Sequence, residues 1–268
     1  MLKTLFYTSV ACHGLATTIF LAYLFRFRSG VGKMARAALW CAFAAQLALV
    51  GTALGSTAGE ALTNLELGLH LAAAILDISY LLLSARFKMP LLGGIVAPIS
   101  TALLLTILFV PAAGQSGEAT QMVGVLTYVH IGASVLGFAF FSASFGASLA
   151  YLLQDYSLRT KRRTGLTRML PPLARLERVS FRMLILGFPI FTIGLILGTV
   201  WVGHVGVEVF LRPQVLFPIL AWIVFGVLLQ MYSTSGWRGT RAAIMNIVGY
   251  LLVLQSVLIY ALRGALGA

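Results

Sequence analysis

The chain has 268 residues, of which 60% are hydrophobic and 10% charged, and its mean hydropathy is +0.97. Soluble surfaces carry roughly a quarter to a third charged residues, so these figures exclude a soluble enzyme and a secreted disulfide scaffold. The net charge of +12 would point to nucleic acid in a soluble protein, but here the 19 Lys and Arg lie between apolar stretches, and no nucleic-acid partner is expected.

Apolar runs of about 20 residues, the length that crosses a bilayer, predict eight transmembrane helices, at 4–25, 35–55, 65–85, 90–110, 124–153, 180–202, 214–232 and 241–262. The expected fold class is all-α, a polytopic membrane protein built as a single transmembrane bundle. The start, MLKTLFYTSVACHGLATTIFLAYLFRFR, has an apolar run too long for a signal peptide and carries charges behind it; it reads as a retained first helix. Cys12 and Cys41 fall at different depths, which argues against a disulfide, and no CxxC spacing supports a thiol relay.

The basic residues test the helix count. Arg26, Arg28, Lys33 and Arg36 follow the first span, and Arg86 and Lys88 the third. Eight more, from Arg159 to Arg182, follow the fifth, and Arg238 and Arg241 follow the seventh; only Lys3, Arg212 and Arg263 fall on the other side. The basic-rich side is expected to be cytoplasmic, with both termini on the outer, extracytoplasmic side. Residues 156–179, with RTKRRTGLTRMLPPLARLER, form the expected basic cytoplasmic loop. It reads as a topology determinant facing anionic membrane lipid, or as a dock for an acidic partner. Pro171 and Pro172 break any helix there, and LARLERVSFR reads as an interfacial turn into the sixth span.

Ionisable groups inside hydrocarbon are functional candidates by default. His13 lies about nine residues into the first helix, roughly 13 Å along it. His70 and His130 lie near the outer ends of the third and fifth helices, and His204 follows the sixth. All four map to the outer side. Neutral imidazole is the usual axial ligand of heme iron, and a porphyrin between helices needs an apolar wall around it; histidines at outer helix ends also sit comfortably beside interfacial water. On the third helix, Glu66, His70 and Asp77 fall within about 40° of one another, a polar stripe that must face the bundle or a cavity. Glu66 is placed to orient the His70 imidazole. A proton path is the rival reading of the stripe, though below Asp77 the face continues only through Ser84. On the fifth helix His130 is followed by Ser134, Gly137, Phe141 and Ser148, a mostly small stripe that permits either close helix approach or a slot for a planar ligand. Pro98, Gly187 and Pro189 are expected to bend the fourth and sixth helices. No internal repeat is visible.

Three blocks, LTYVHIGASVLGFAFFSASFGASLAYLLQDYSLRTKRR, LPPLARLERVSFRMLILGFPIFTIGLILGTVW and GWRGTRAAIMNIVGYLLVL, resemble in order and spacing the cytochrome c assembly family of heme-handling membrane proteins, and within it the eight-helix HemX-like (YpjD-like) subgroup. The resemblance covers roughly residues 60 to 260. TNLELGLH is similar to the block in which a glutamate, here Glu66, opens the third helix, and His130 matches the outer-side histidine for which the family implies heme ligation. A histidine early in the first helix, matching His13, also occurs in the subgroup. Cytochrome c synthases of the family carry a tryptophan-rich outer segment ending in WD. Here GTVWVGHVGVEVFLRPQ keeps only Trp201, with His204, Glu208 and Arg212 around it, and no second outer histidine follows the last helix in ALRGALGA.

The resemblance therefore implies a heme-binding carrier, sensor or assembly factor rather than a synthase, in a bacterial inner membrane. Non-covalent heme b is the expected cofactor, with His130 and His13 as preferred axial ligands and His70 or His204 as a second pair or as substitutes. Arg212 or Arg263 is expected to meet the propionates. The subgroup implies a role in heme homeostasis through glutamyl-tRNA reductase, or in cytochrome c maturation, with the basic loop as the contact for such partners. The alternative is a proton-coupled secondary transporter using Glu66, His70 and Asp77. A structural scaffold in which the histidines are bystanders is a third reading.

Overall fold

A computed structural model describes residues 2–26, 29–55, 64–86, 90–108, 121–161, 167, 170–203 and 211–266. Among them are eight helices and no strand: α1 (Leu2–Arg26), α2 (Ser29–Gly55), α3 (Asn64–Arg86), α4 (Pro90–Ile107), α5 (Gln121–Arg159), α6 (Leu173–Gly203), α7 (Pro213–Thr234) and α8 (Thr240–Leu266). Six of them contain stretches long and apolar enough to cross a membrane. In α3 and α4 the apolar stretches are shorter, Leu69–Leu82 and Leu92–Leu105. The chain is an all-helical polytopic membrane protein. Its outward side chains fit that setting: Ile185, Ile193, Ile196 and Val200 on α6, and Leu251 and Leu258 on α8, are all exposed.

The helices group into two compact units, Met1–Ser116 and Gly117–Ala268, of four helices each. In both, successive helices pack on one another and the fourth returns to the first. In the first unit the core is built from small and branched residues, including Ala16, Leu39, Ala42, Ala73, Leu76, Ala97 and Leu104. In the second, an aromatic cluster joins small and branched residues of the same kind. Phe145 stacks on Tyr250 at 4.4 Å, and Phe141 meets both Phe225 at 4.2 Å and Phe191 at 5.2 Å.

The α5–α6 pair is the tightest contact in the second unit, and glycine makes it so. A Cβ on Gly137 would come within 2.8 Å of Phe191 Cβ, and one on Gly187 within 2.8 Å of Phe140 Cβ. A Cβ on Gly194 would come within 2.9 Å of the Ser134 backbone nitrogen, and one on Gly198 within 2.7 Å of the His130 ring. The small stripe of α5 is thus a seam for a neighbouring helix, which decides between the two readings of that stripe. Dispersion contacts and backbone proximity hold such seams in lipid, where burying apolar surface gives little advantage over solvation by acyl chains.

Helix boundaries differ from the expected ones chiefly around the basic loop. α5 continues to Arg159 and stops where Lys161 enters the left-handed region at φ 54°. α6 starts at Leu173, directly after Pro171 and Pro172, whose fixed φ suits a helix start but not its interior. LARLERVSFR is therefore the opening of a helix and not an interfacial turn. It is amphipathic: Leu176 and Val179 are buried while Arg175, Arg178 and Arg182 are exposed. Helix thus reaches Arg159 on one side and resumes at Leu173 on the other, inside the predicted loop of 156–179. Similarly α2 begins at Ser29, six residues ahead of its predicted start at 35. Pro98 and Pro189 lie inside continuous helices.

Replacing Gly194 by Leu should force α5 and α6 apart and destabilise the protein by roughly 1–3 kcal/mol, as overpacking does. Gly14→Ala, at a helical site with nothing within 4 Å of the added carbon, should be neutral or stabilising by up to about 1 kcal/mol. Thermal unfolding in detergent of the two variants beside the parent measures both; equal melting points would contradict the seam.

Candidate buried polar sites in the two helical units

The first unit holds a polar chain linking α1, α3 and α4. The His13 ring lies fully buried, its Nδ1 2.8 Å from the Ser9 carbonyl and its Nε2 2.8 Å from Asp77 Oδ2. Asp77 is equally buried, and its Oδ1 accepts from the Ser100 hydroxyl at 2.7 Å. A carbonyl only accepts, so Nδ1 must carry a proton. The Nε2–Oδ2 bond then holds one further proton, and wherever along it that proton sits, the pair is neutral overall. One turn on from His13, Thr17 bonds Thr101 at 2.8 Å, a second tie between α1 and α4. Asp77 is therefore paired, as its depth requires, but its partner is the histidine that the sequence reading assigned to iron. As placed, neither nitrogen of His13 presents a lone pair to a ligand.

His70 is the opposite case. It is completely buried, yet neither ring nitrogen finds a hydrogen-bond partner. Phe6 stands edge-on to it, with centroids 5.9 Å apart. Gln46, on α2, donates its amide to the His70 carbonyl, and its Oε1 is likewise without a partner. A buried polar atom left unpaired costs roughly 1–3 kcal/mol, and His70 and Gln46 together leave three such atoms in this unit. An imidazole with a free nitrogen lone pair beside Phe6 has the donor that heme iron takes. Glu66 lies half-buried near the start of the same helix.

In the second unit His130 is half-buried on α5 and donates Nδ1–H to the Gly194 carbonyl of α6 at 2.7 Å. That bond fixes the tautomer and leaves Nε2 as a lone pair. Metal-ligating histidines characteristically have their other ring nitrogen held by a carbonyl or carboxylate in this way. Gly198 leaves room for the ring, since a Cβ there would strike His130 Cε1. Arg212 is exposed immediately before α7, where Pro213 opens the helix. His204 and the side chains of Trp201 and Arg263 lie outside the described residues.

Sequence reasoning passed over Gln46, Ser100 and Asn246. Gln46 and Asn246 are lone polar residues in the apolar runs CAFAAQLALV and AAIMNIVGY, and that isolation was the available signal; Ser100 has only Thr101 beside it in VAPISTALL.

Removing one member of the buried pair leaves the other uncompensated, which typically costs roughly 3–5 kcal/mol. Asp77→Leu and His13→Leu should each lower the unfolding temperature sharply, and the double variant should recover part of the loss. A double variant as unstable as the sum of the singles would show that the two residues are not coupled.

The sequence profile of the family described as Cytochrome C assembly protein matches residues 62–264. The chain is 29% identical over 206 residues to a 28.8 kDa protein in a nifR3-like 5' region of Azospirillum brasilense, covering 75% of each chain. It is 28% identical over 202 residues to the cytochrome c biogenesis protein CcsA of Chlamydomonas reinhardtii, covering 72% of this chain and 55% of that one. Against Protein HemX of Brevibacillus brevis it is 27% identical over 173 residues, 64% of each chain. The chain thus spans little more than half the length of the algal relative. With the match extending across most of its length, the chain belongs to the cytochrome c assembly protein family, among its CcsA-like and HemX-like members.

Proposed function

We propose that this membrane protein binds heme b non-covalently and acts as a heme carrier or sensor in cytochrome c biogenesis or heme homeostasis, with His130 as an axial ligand. The observation that carries the reading is the bond from His130 Nδ1–H to the Gly194 carbonyl, which leaves Nε2 oriented and free. Bound heme would supply a redox-active iron and a deliverable prosthetic group. The chain's own task is to hold it: His130 offers the nitrogen lone pair, and the α5–α6 glycine seam keeps that imidazole from rotating. Within the first unit, His70 is a stronger candidate ligand than His13, because His13 would have to give up Asp77 first. Arg212, exposed and without an ion pair among the described residues, suits a propionate.

A carrier role fits better than synthase activity, since the segment around Trp201 lacks the WD core. The amphipathic, arginine-lined opening of α6 and the basic connector before it suit contact with a soluble partner on the cytoplasmic side. Glutamyl-tRNA reductase and cytochrome c maturation proteins are the partners the family resemblance suggests. A bacterial inner membrane with the basic residues inward suits this arrangement.

The buried His13–Asp77–Ser100 chain favours one rival, proton-coupled transport. It predicts a flux in liposomes that Asp77→Asn abolishes.

Protein expressed with a heme precursor should show a Soret band and, after dithionite, a sharp α band. His130→Ala should abolish or shift these bands, His70→Ala should lower heme occupancy, and His13→Ala should act mainly on stability. No Soret band at good protein yield, in expression or on reconstitution, would defeat the heme reading; a spectrum unchanged in His130→Ala would remove that ligand.

A further inference from the structure

Along α6 a single exposed stripe changes character partway down the helix. Arg175, Arg178 and Arg182 stand on it in the first turns, and Ile185, Ile193 and Ile196 follow, all of them exposed. At 100° per residue these six positions fall within an arc of about 80°. Leu184 and Phe191, on the opposite side of the helix, are buried. Arginine and isoleucine therefore occupy one line on the surface, the basic part at the helix start and the apolar part beyond it.

The two parts match two layers of a bilayer leaflet. The uncharged segment from Met183 to Val200 is about 27 Å long at 1.5 Å per residue, close to the roughly 30 Å of the hydrocarbon core. Arg175 to Arg182 occupies about 10 Å more along the same axis, where the headgroups lie. None of the three guanidiniums forms an ion pair among the described residues. The nearby carboxylates are engaged elsewhere: Asp155 accepts from Arg159 and Thr240, and Glu177 lies on the side of α6 that meets the Tyr232 hydroxyl.

We propose that this stripe binds one anionic phospholipid, its phosphate held by Arg178 and Arg182 and an acyl chain laid along Ile185, Ile193 and Ile196. Guanidinium groups match phosphate oxygens two at a time, and residues four apart on a helix are surface neighbours able to flank one phosphate. The stripe itself selects an amphiphile. A soluble acidic protein or free phosphate would meet only the arginines, and a zwitterionic lipid brings no net charge to balance them. Seated there, the lipid would hold α6 at a fixed depth, and the basic connector ahead of the helix, rather than these arginines, is left for a soluble partner.

The test is thermal unfolding of the detergent-purified protein with phosphatidylglycerol or phosphatidylcholine of the same acyl chains, and with inorganic phosphate or a polyglutamate peptide, at fixed ionic strength. The expected result is a melting temperature that rises saturably with phosphatidylglycerol alone, by roughly 2–4 °C. Arg178→Gln/Arg182→Gln should lose that increment, whereas the charge-matched Lys33→Gln/Arg241→Gln, at two other exposed positions, should keep it. If the first double variant is poorly made, Arg182→Gln alone should lose about half. Equal effects of the two lipids would overturn the proposal, as would an increment that survives in Arg178→Gln/Arg182→Gln. A rise reproduced by phosphate or polyglutamate would make the stripe a dock for soluble anions, and equal loss in both double variants would mean a diffuse surface charge; either result defeats a lipid site. Heme plays no part in the measurement, so its outcome stands apart from the heme reading.

Discussion

A carboxylate placed among apolar helices has no water to share its charge, and Asp77 meets this constraint with partners from two other helices. His13 comes from α1 and Ser100 from α4, so one acidic group dictates how three of the four helices of the first unit must face. The same constraint recurs wherever a polar side chain is buried. Asn246 gathers serines from α5 and α6, Trp222 of α7 donates to Thr192 of α6, and Tyr250 accepts from Ser142 of α5. Apolar side chains face lipid or one another with little preference, so the polar contacts carry much of the information about which helix faces meet.

The two units leave their histidines in different states, and the difference bears on ligand binding. In the second, glycines bring α5 and α6 to near backbone contact, and His130 is pinned as a by-product of that approach. In the first, His13 is spent on Asp77 while His70, seven residues before that aspartate on the same helix, is left with both nitrogens open. Two histidines that look alike in the sequence thus have opposite chemical availability.

The helices were legible in the sequence because apolar length and the alternation of basic loops are strong, local signals. All eight appear, with shifted boundaries around the basic loop, where Leu176 and Val179 extend an amphipathic helix beyond the purely apolar run. The polar stripe of α3 was legible too, since Glu66, His70 and Asp77 recur at helical spacing. What that stripe touches was not. The His13–Asp77 bond spans 64 positions, and no periodicity encodes which distant imidazole a carboxylate will choose. The small stripe of α5 was ambiguous for a related reason: glycine permits approach but does not say what approaches, and only the matching glycines of α6 decide it. Gln46 and Asn246 announced themselves only by being alone, and Ser100, next to Thr101, not even by that.

The neutral His13–Asp77 pair also imposes an order on how the chain enters its membrane. α1 is synthesised first, and an uncharged imidazole can be carried into the bilayer at modest expense. Asp77 follows 64 residues later, and an aspartate at the centre of a span resists insertion by about 2.5–3.5 kcal/mol. Its most direct relief is the imidazole already waiting in α1, so entry of the third helix is chemically assisted by the first. The bond that organises the finished unit would then also lower the cost of assembling it, from the first helix to the third.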